Sequence, residues 1–413
     1  MRFPVREVTS ANSVLRSFLM DRVWRYCWAI LLALPITAQT SGGPDLPIRL
    51  KTTVSSATSK PGDRVEAVVI SGEYLGASIR GVVEAATGST GPDTRASLRL
   101  HFTDLEIGRW KMAVDGRVSG VDNARETVDE RGFIHGVLAS ETITGRLDGQ
   151  IDQVGGKYSG LADILGAIKT SLFNPASTEI EFAPGVEMRL HLAASLPPRA
   201  PRRPQTISGS RSLAALQLLV AHEPFQAMSE RPARPSDVTN LLLVGGEKTL
   251  RDAFAAAGWS VSSGLNPRAA FETFRALAED RAFAEAPVSV LLLDGKPPGL
   301  VFEKTTDTFA CRHHARVWRT PAILHGETIW VAAATHDTGI SFSEADRTFL
   351  HRIDSQIDSE REKVADDLFF AGFVESEALL PRPQVPHAGR NATGDNIETD
   401  GKIVVLMLKA PRR

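Results

Sequence analysis

The sequence predicts a multidomain chain in which an antiparallel all-β barrel or sandwich is followed by an α/β domain on a mixed sheet. Three observations carry that expectation. From Leu46 to Leu196, short segments alternate apolar and polar residues at a period of two, separated by Gly and Pro turns. A Pro/Arg-rich stretch, LPPRAPRRPQTISGS, then breaks the pattern. Beyond it, continuous apolar runs such as Leu241–Val244 and Ala286–Leu293 alternate with helical periodicity, as in a sheet covered on both faces.

The 413 residues suffice for two or three domains, and 42% hydrophobic with 23% charged residues is ordinary for a globular protein. A net charge of -2 speaks against a nucleic-acid binder with a broad basic surface. Two cysteines, Cys27 and Cys311, exclude a disulfide framework. At the amino terminus Arg2, Arg6, Arg16, Arg22 and Arg25 precede the apolar run YCWAILLALPI and then TAQTSGG. Residues 1–38 therefore read as a secretory signal peptide cut after Ala38. Eleven apolar residues fall short of the roughly 20 that cross a bilayer, although a retained amino-terminal anchor is the alternative reading. Met20 is a second candidate start. The expectation is export to the periplasm or cell envelope, with no transmembrane bundle in the mature chain.

Within residues 46–196, Val65, Ala67 and Val69 share one strand face after the turn Pro61-Gly62-Asp63. Leu98, Leu100 and Phe102 repeat the pattern, as do Trp110, Met112 and Val114. EIEFAPGVEMRLHLAASL forms two strands around Pro184-Gly185, and a short helix is expected over 161–172. His101, His135 and His191 lie beside exposed charges and read as surface residues. Asp122, Arg125, Glu126 and Asp129 read as a solvated mixed-charge loop. PGDRVEAVV, RASLRLHF and FAPGVEMRLHL resemble the β-barrel module of periplasmic proteins in conjugative-transfer (type IV secretion) channels. That resemblance implies an exported all-β domain and no active site.

Residues 197–211 form the linker and 212–413 the second domain. Leu213–Ala221 is expected to be a helix, as is Glu247–Ala257, which Gly258 caps. Asn266 opens another helix, and Lys402–Leu408 is the closing strand. Gly245-Gly246 lacks a Walker lysine–hydroxyl pair and reads as a plain strand-to-helix turn.

The densest chemistry lies between Phe309 and Leu368, where five of the ten histidines fall between His313 and His351. On a strand, Arg312, His314, Arg316 and Trp318 share one face, and Cys311, His313, Ala315 and Val317 the other. The first set is a cationic ladder suited to phosphate or carboxylate oxygens. Trp330, Ala332, Ala334 and His336 share a face of the next strand, which ends at Asp337. Ser355 and Asp358 fit a capping box for the following helix, and Asp354 is a second candidate cap.

RHHARVW, IWVAAATHDTGISF and HRIDSQIDSEREKVADDL, spread over residues of about 234–409, resemble the LssY C-terminal domain. Ser355 stands where that family's HxID motif is followed by proline. The resemblance implies an α/β fold and draws attention to the His/Arg/Asp block. Two functions follow as expectations. The domain binds an anionic envelope ligand, such as a lipid headgroup, through Arg312, His314, Arg316 and Trp318. Alternatively it is a metal-assisted or acid–base hydrolase. His336, Asp337, His351 and Asp354 are its catalytic candidates, and His314, His336 and His351 would hold a divalent metal.

Overall fold

The computed structural model describes residues 43–142, 177–200, 203–230, 233–262, 291–304, 311–343 and 348–410. The leader of residues 1–38, the helix expected over 161–172 and the helix opened by Asn266 lie outside them.

Six strands close the barrel: β1 (Asp45–Leu50), β2 (Arg64–Val69), β3 (Ser78–Thr87), β4 (Ser97–Ile107), β5 (Trp110–Val121) and β6 (Glu187–Leu192). β1 pairs with β2 and β6, β6 with β5, β5 with β4, β4 with β3, and β3 returns to β2, every pair antiparallel. Alternation sends Ile48, Val65, Ala67, Val69, Leu98, Leu100, Phe102 and Leu190 into one core. Gly81 sits at a register shift between β3 and β4. A Cβ there would lie 2.1 Å from the His101 carbonyl oxygen, an approach that glycine alone permits. His101, His135 and His191 lie on the outside of the barrel, beside Asp115 at 3.0 Å, Asp129 at 3.2 Å and Asp45 at 2.8 Å.

The second sheet is mixed. Its elements are α1 (Ser210–His222), β7 (Leu241–Val244), α2 (Glu247–Ala256), β8 (Leu300–Lys304), β9 (Cys311–Leu324), β10 (Glu327–Ser343), β11 (Thr348–Ile353), α3 (Ile357–Phe370), β12 (Val374–Pro381) and β13 (Lys402–Leu408). Among the described residues the strand order is β12-β13-β7-β10-β9-β8, with short strands at both ends and β11 beside β10. β7 runs parallel to β13 and antiparallel to β10. Every residue of β7 is buried because each sheet face has its own cover. Leu241 and Leu243 pack with Phe254 of α2 and with Val364 and Leu368 of α3, whereas Leu242 and Val244 pack with Leu216 and Val220 of α1. Phe254 also stacks on Phe302 at 4.0 Å.

The Ser355–Asp358 capping box does not form. α3 starts at Ile357, and its amino-terminal flank has no side-chain cap. Asp354 instead closes its own turn by accepting from the Gln356 amide at 2.9 Å. The Asp358 carboxylate accepts from Thr399, the Asp400 amide and Arg361, tying the helix to the turn before β13. Among the described residues, no helix is long and apolar enough to cross a membrane.

Candidate functional site at the seam between barrel and second domain

β9 and β10 pair His313 with His336 and His314 with Thr335, so strand alternation divides the polar block between the two sheet faces. One face holds Arg312, His314, Arg316 and Trp318, as the spacing predicts. All four are buried, with the charged members 1–4% exposed. Carboxylates of the protein meet them. Arg312 donates to Glu303 at 3.0 Å and to Asp337 at 3.2 Å, His314 Nε2 lies 3.1 Å from Asp337, and Arg316 donates to Asp237 at 2.5 Å. Trp318 donates to the Lys296 carbonyl. The ladder is thus a neutralised polar layer inside the domain, where the sequence alone suggested a surface for an external anion.

His336 points to the other face. It therefore does not meet His314, and the expected trio of His314, His336 and His351 is split by the sheet. The backbone of His351 pairs with Ile340, while its side chain lies outside the described residues, as does that of Cys311. Asp354 touches this region through its backbone, donating to the His336 carbonyl at 2.8 Å.

His336 meets His313, the two rings stacked 4.4 Å apart, and both meet the barrel. His313 Nε2 lies 2.9 Å from Asp122 Oδ2, and its Nδ1 lies 2.8 Å from Glu360 Oε2 of α3. His336 Nε2 lies 2.7 Å from Asn123 Oδ1. Asp122 and Asn123 follow β5, which delivers them to the seam. Asn123 takes a left-handed φ of 54°, a conformation that asparagine tolerates better than most side chains. One ligand-type atom from each of Asp122, His313 and His336 lies within 4.8 Å of the others. Asp122 was expected to be solvated, so its half-buried place against His313 corrects that reading. Glu360 Oε1 and Asn123 Nδ2, both buried, have no hydrogen-bond partner among the described residues.

Charges shape this centre. Burial opposes the charge on His313, yet Glu360 and Asp122 push its pKa up to about 9. Burial and the neighbouring His313 charge push His336 down. Burial would raise Asp122, but the charge and hydrogen bond of His313 hold its carboxyl far below the usual range.

A second network continues along the seam. Lys304 Nζ lies 2.6 Å from Glu187 and 3.0 Å from Asp367, Arg49 lies 2.7 and 3.0 Å from the same two carboxylates, and Lys363 pairs with Glu187. Trp259 Nε1 also donates to Asp367 at 3.0 Å. Lys363 Nζ stands 4.0 Å from Asp122, linking the two networks. Beside them opens a cleft of about 330 Å³, lined among others by Asp122, Glu187, Lys363, Asp366 and Ser71.

Asp366 supplies a pH test of this cleft. Burial pushes its carboxyl up to about 6, against the pull of Arg203 and with help from Asp367. The folded value exceeds that of an unfolded aspartate, so its stabilisation is complete below pH ~4 and is lost as pH rises through about 6. Asp366→Asn is expected to raise stability at pH 8 by about 1–2 kcal/mol, after allowance for partial exposure, and to flatten the slope between pH 4 and 7. Urea unfolding at a series of pH values checks this; an unchanged slope refutes it.

A closed antiparallel barrel joined through buried charge to a mixed sheet with helices on both faces defines a β-rich protein with a polar junction between barrel and sheet. Residues 224–403 match the family model described as LssY C-terminus, and this part of the chain is an LssY C-terminal domain. No curated protein and no solved structure matches the chain.

Proposed function

We propose that the protein is an exported cell-envelope hydrolase that works at the seam between its barrel and its LssY C-terminal domain. One observation carries the reading: two imidazoles from the second sheet converge with a barrel carboxylate, Asp122, and that carboxylate lines a cleft. Converging donors of this kind can activate water, and the cleft has room for the part of a substrate that is attacked. Export is supported by the amino-terminal order of charge, apolar core and small polar exit. The Arg312–Arg316 ladder supports the anion-binding alternative less well, because Glu303, Asp337 and Asp237 already face its cations.

The test is hydrolysis of p-nitrophenyl phosphate, bis-p-nitrophenyl phosphate and p-nitrophenyl acetate by protein lacking residues 1–38. Turnover of at least one ester is expected, falling roughly 10²–10⁴-fold in His336→Ala and Asp122→Asn. His101→Ala, on the barrel exterior, should match the wild type. No turnover of any ester, or full turnover in His336→Ala, overturns the reading.

A further inference from the structure

We infer that Asp122, His313 and His336 form the ligand set of one divalent transition-metal ion, held jointly by the barrel and the LssY C-terminal domain. The inference names the cofactor of the centre described above; it rests on the hydrolase reading only for the use made of the metal.

Four features carry it. The donor set is two imidazoles and one carboxylate, which suits zinc, iron(II) or manganese(II) better than magnesium or calcium, whose ligands are mostly oxygens. The spacing also fits. Ligands about 2.0–2.2 Å from a tetrahedral ion stand roughly 3.3–3.6 Å from one another. Asp122 Oδ2 and His313 Nε2 are 2.9 Å apart, and the three ligand atoms lie within 4.8 Å, so movements of about an ångström bring them onto one ion. The outer layer fits as well. His313 turns Nδ1 to Glu360 at 2.8 Å, which leaves Nε2 facing Asp122, the carboxylate–histidine–metal arrangement that fixes a ring and its tautomer. Finally, Glu360 Oε1 and Asn123 Nδ2 are buried beside the two imidazoles with no hydrogen-bond partner among the described residues. Both residues are more than nine-tenths buried. Such atoms are costly in a closed core, but a metal and the water it carries can give them partners.

Three protein ligands are the number typical of metals that keep a position for water, whereas closed structural zinc sites use four. Asp122 lines the cleft, so that position has a route to solvent. The two domains contribute unequally: His313 and His336 come from neighbouring strands of the second domain, and the barrel adds Asp122. An ion here would clasp the domains together as well as serve chemistry.

The experiment uses the mature chain stripped with chelator, dialysed and re-supplied with zinc or cobalt(II). About one zinc per chain is expected by mass spectrometry of the metal content, with visible ligand-field bands for cobalt. Asp122→Asn and His336→Ala should lose the ion while keeping the wild-type circular dichroism spectrum. Glu360→Gln, which leaves all three ligands in place, should weaken binding roughly 10–100-fold. No uptake by the wild type, or uptake unchanged in Asp122→Asn and His336→Ala, overturns the inference and leaves a hydrogen-bonded clasp only. If a ligand variant loses its fold, Glu360→Gln decides: unchanged affinity there also overturns the inference. The two proposals fail separately. A bound ion without ester turnover retires the hydrolase and keeps the metal, whereas turnover indifferent to chelator does the reverse.

Discussion

Glu187→Ala is expected to lower the stability of the chain by about 3–5 kcal/mol, the cost of breaking a buried ion network from one side. Glu187, 3% exposed, is with Arg49 the barrel's contribution to a centre whose other members, Lys304, Lys363 and Asp367, come from the second domain. It faces Arg49, Lys304 and Lys363 together. Burial alone would raise its pKa, but those three cations hold it well below the usual carboxylate range. Without it, Asp367 alone takes Arg49 and Lys304, and the surplus positive charge is left in a largely buried place. The loss should fall on the junction, so unfolding of the barrel and of the second sheet should move apart. Guanidinium titrations followed by tryptophan fluorescence and by circular dichroism give the measurement. Adding Lys304→Met to Glu187→Ala should restore part of the stability, because the double variant removes charge from both sides. A loss below about 1 kcal/mol in the single variant would show that the network is ornamental.

Asp337→Ala should cost a similar amount, about 3–5 kcal/mol, but inside the second domain. Asp337 is fully buried between Arg312 and His314, on the sheet face away from the seam. Its removal leaves Arg312 to share Glu303 and takes away the carboxylate beside His314. Asp337→Asn keeps the shape without the charge and should cost less than alanine. Thermal unfolding of the two variants checks the order. If Asp337→Ala unfolds with wild-type stability, the ladder is not holding the domain together, and a ligand role for Arg312 and Arg316 returns.

The strands of both domains were legible because alternation is local. Ile48, Val65 and Leu98 turn inward wherever the neighbouring strands lie, since successive Cβ atoms leave a strand on opposite sides. The same parity separated Arg312, His314, Arg316 and Trp318 from His313, Ala315 and Val317, and this division holds in the structure. Parity says which residues share a face. It does not say what the face meets, and so the ladder read as open to an anion although Glu303, Asp337 and Asp237 meet it. The cap of α3 was misplaced for a related reason. Asp358 has the spacing of a capping residue, but Thr399 and Asp400, far along the chain, compete for its oxygens and win.

The amino-acid order by itself determined an antiparallel β-barrel in the first half, a sheet covered on both faces in the second, and the side of the strand to which His313, His314 and His336 belong. Docking of one domain on the other decided the rest. Asp122 reaches His313 across 191 positions of the chain, and Glu187 reaches Lys304 across 117. Nothing in the local pattern of either partner encodes those meetings, because they depend on how two separately closed surfaces fit. Only there do a loop carboxylate and two strand histidines meet.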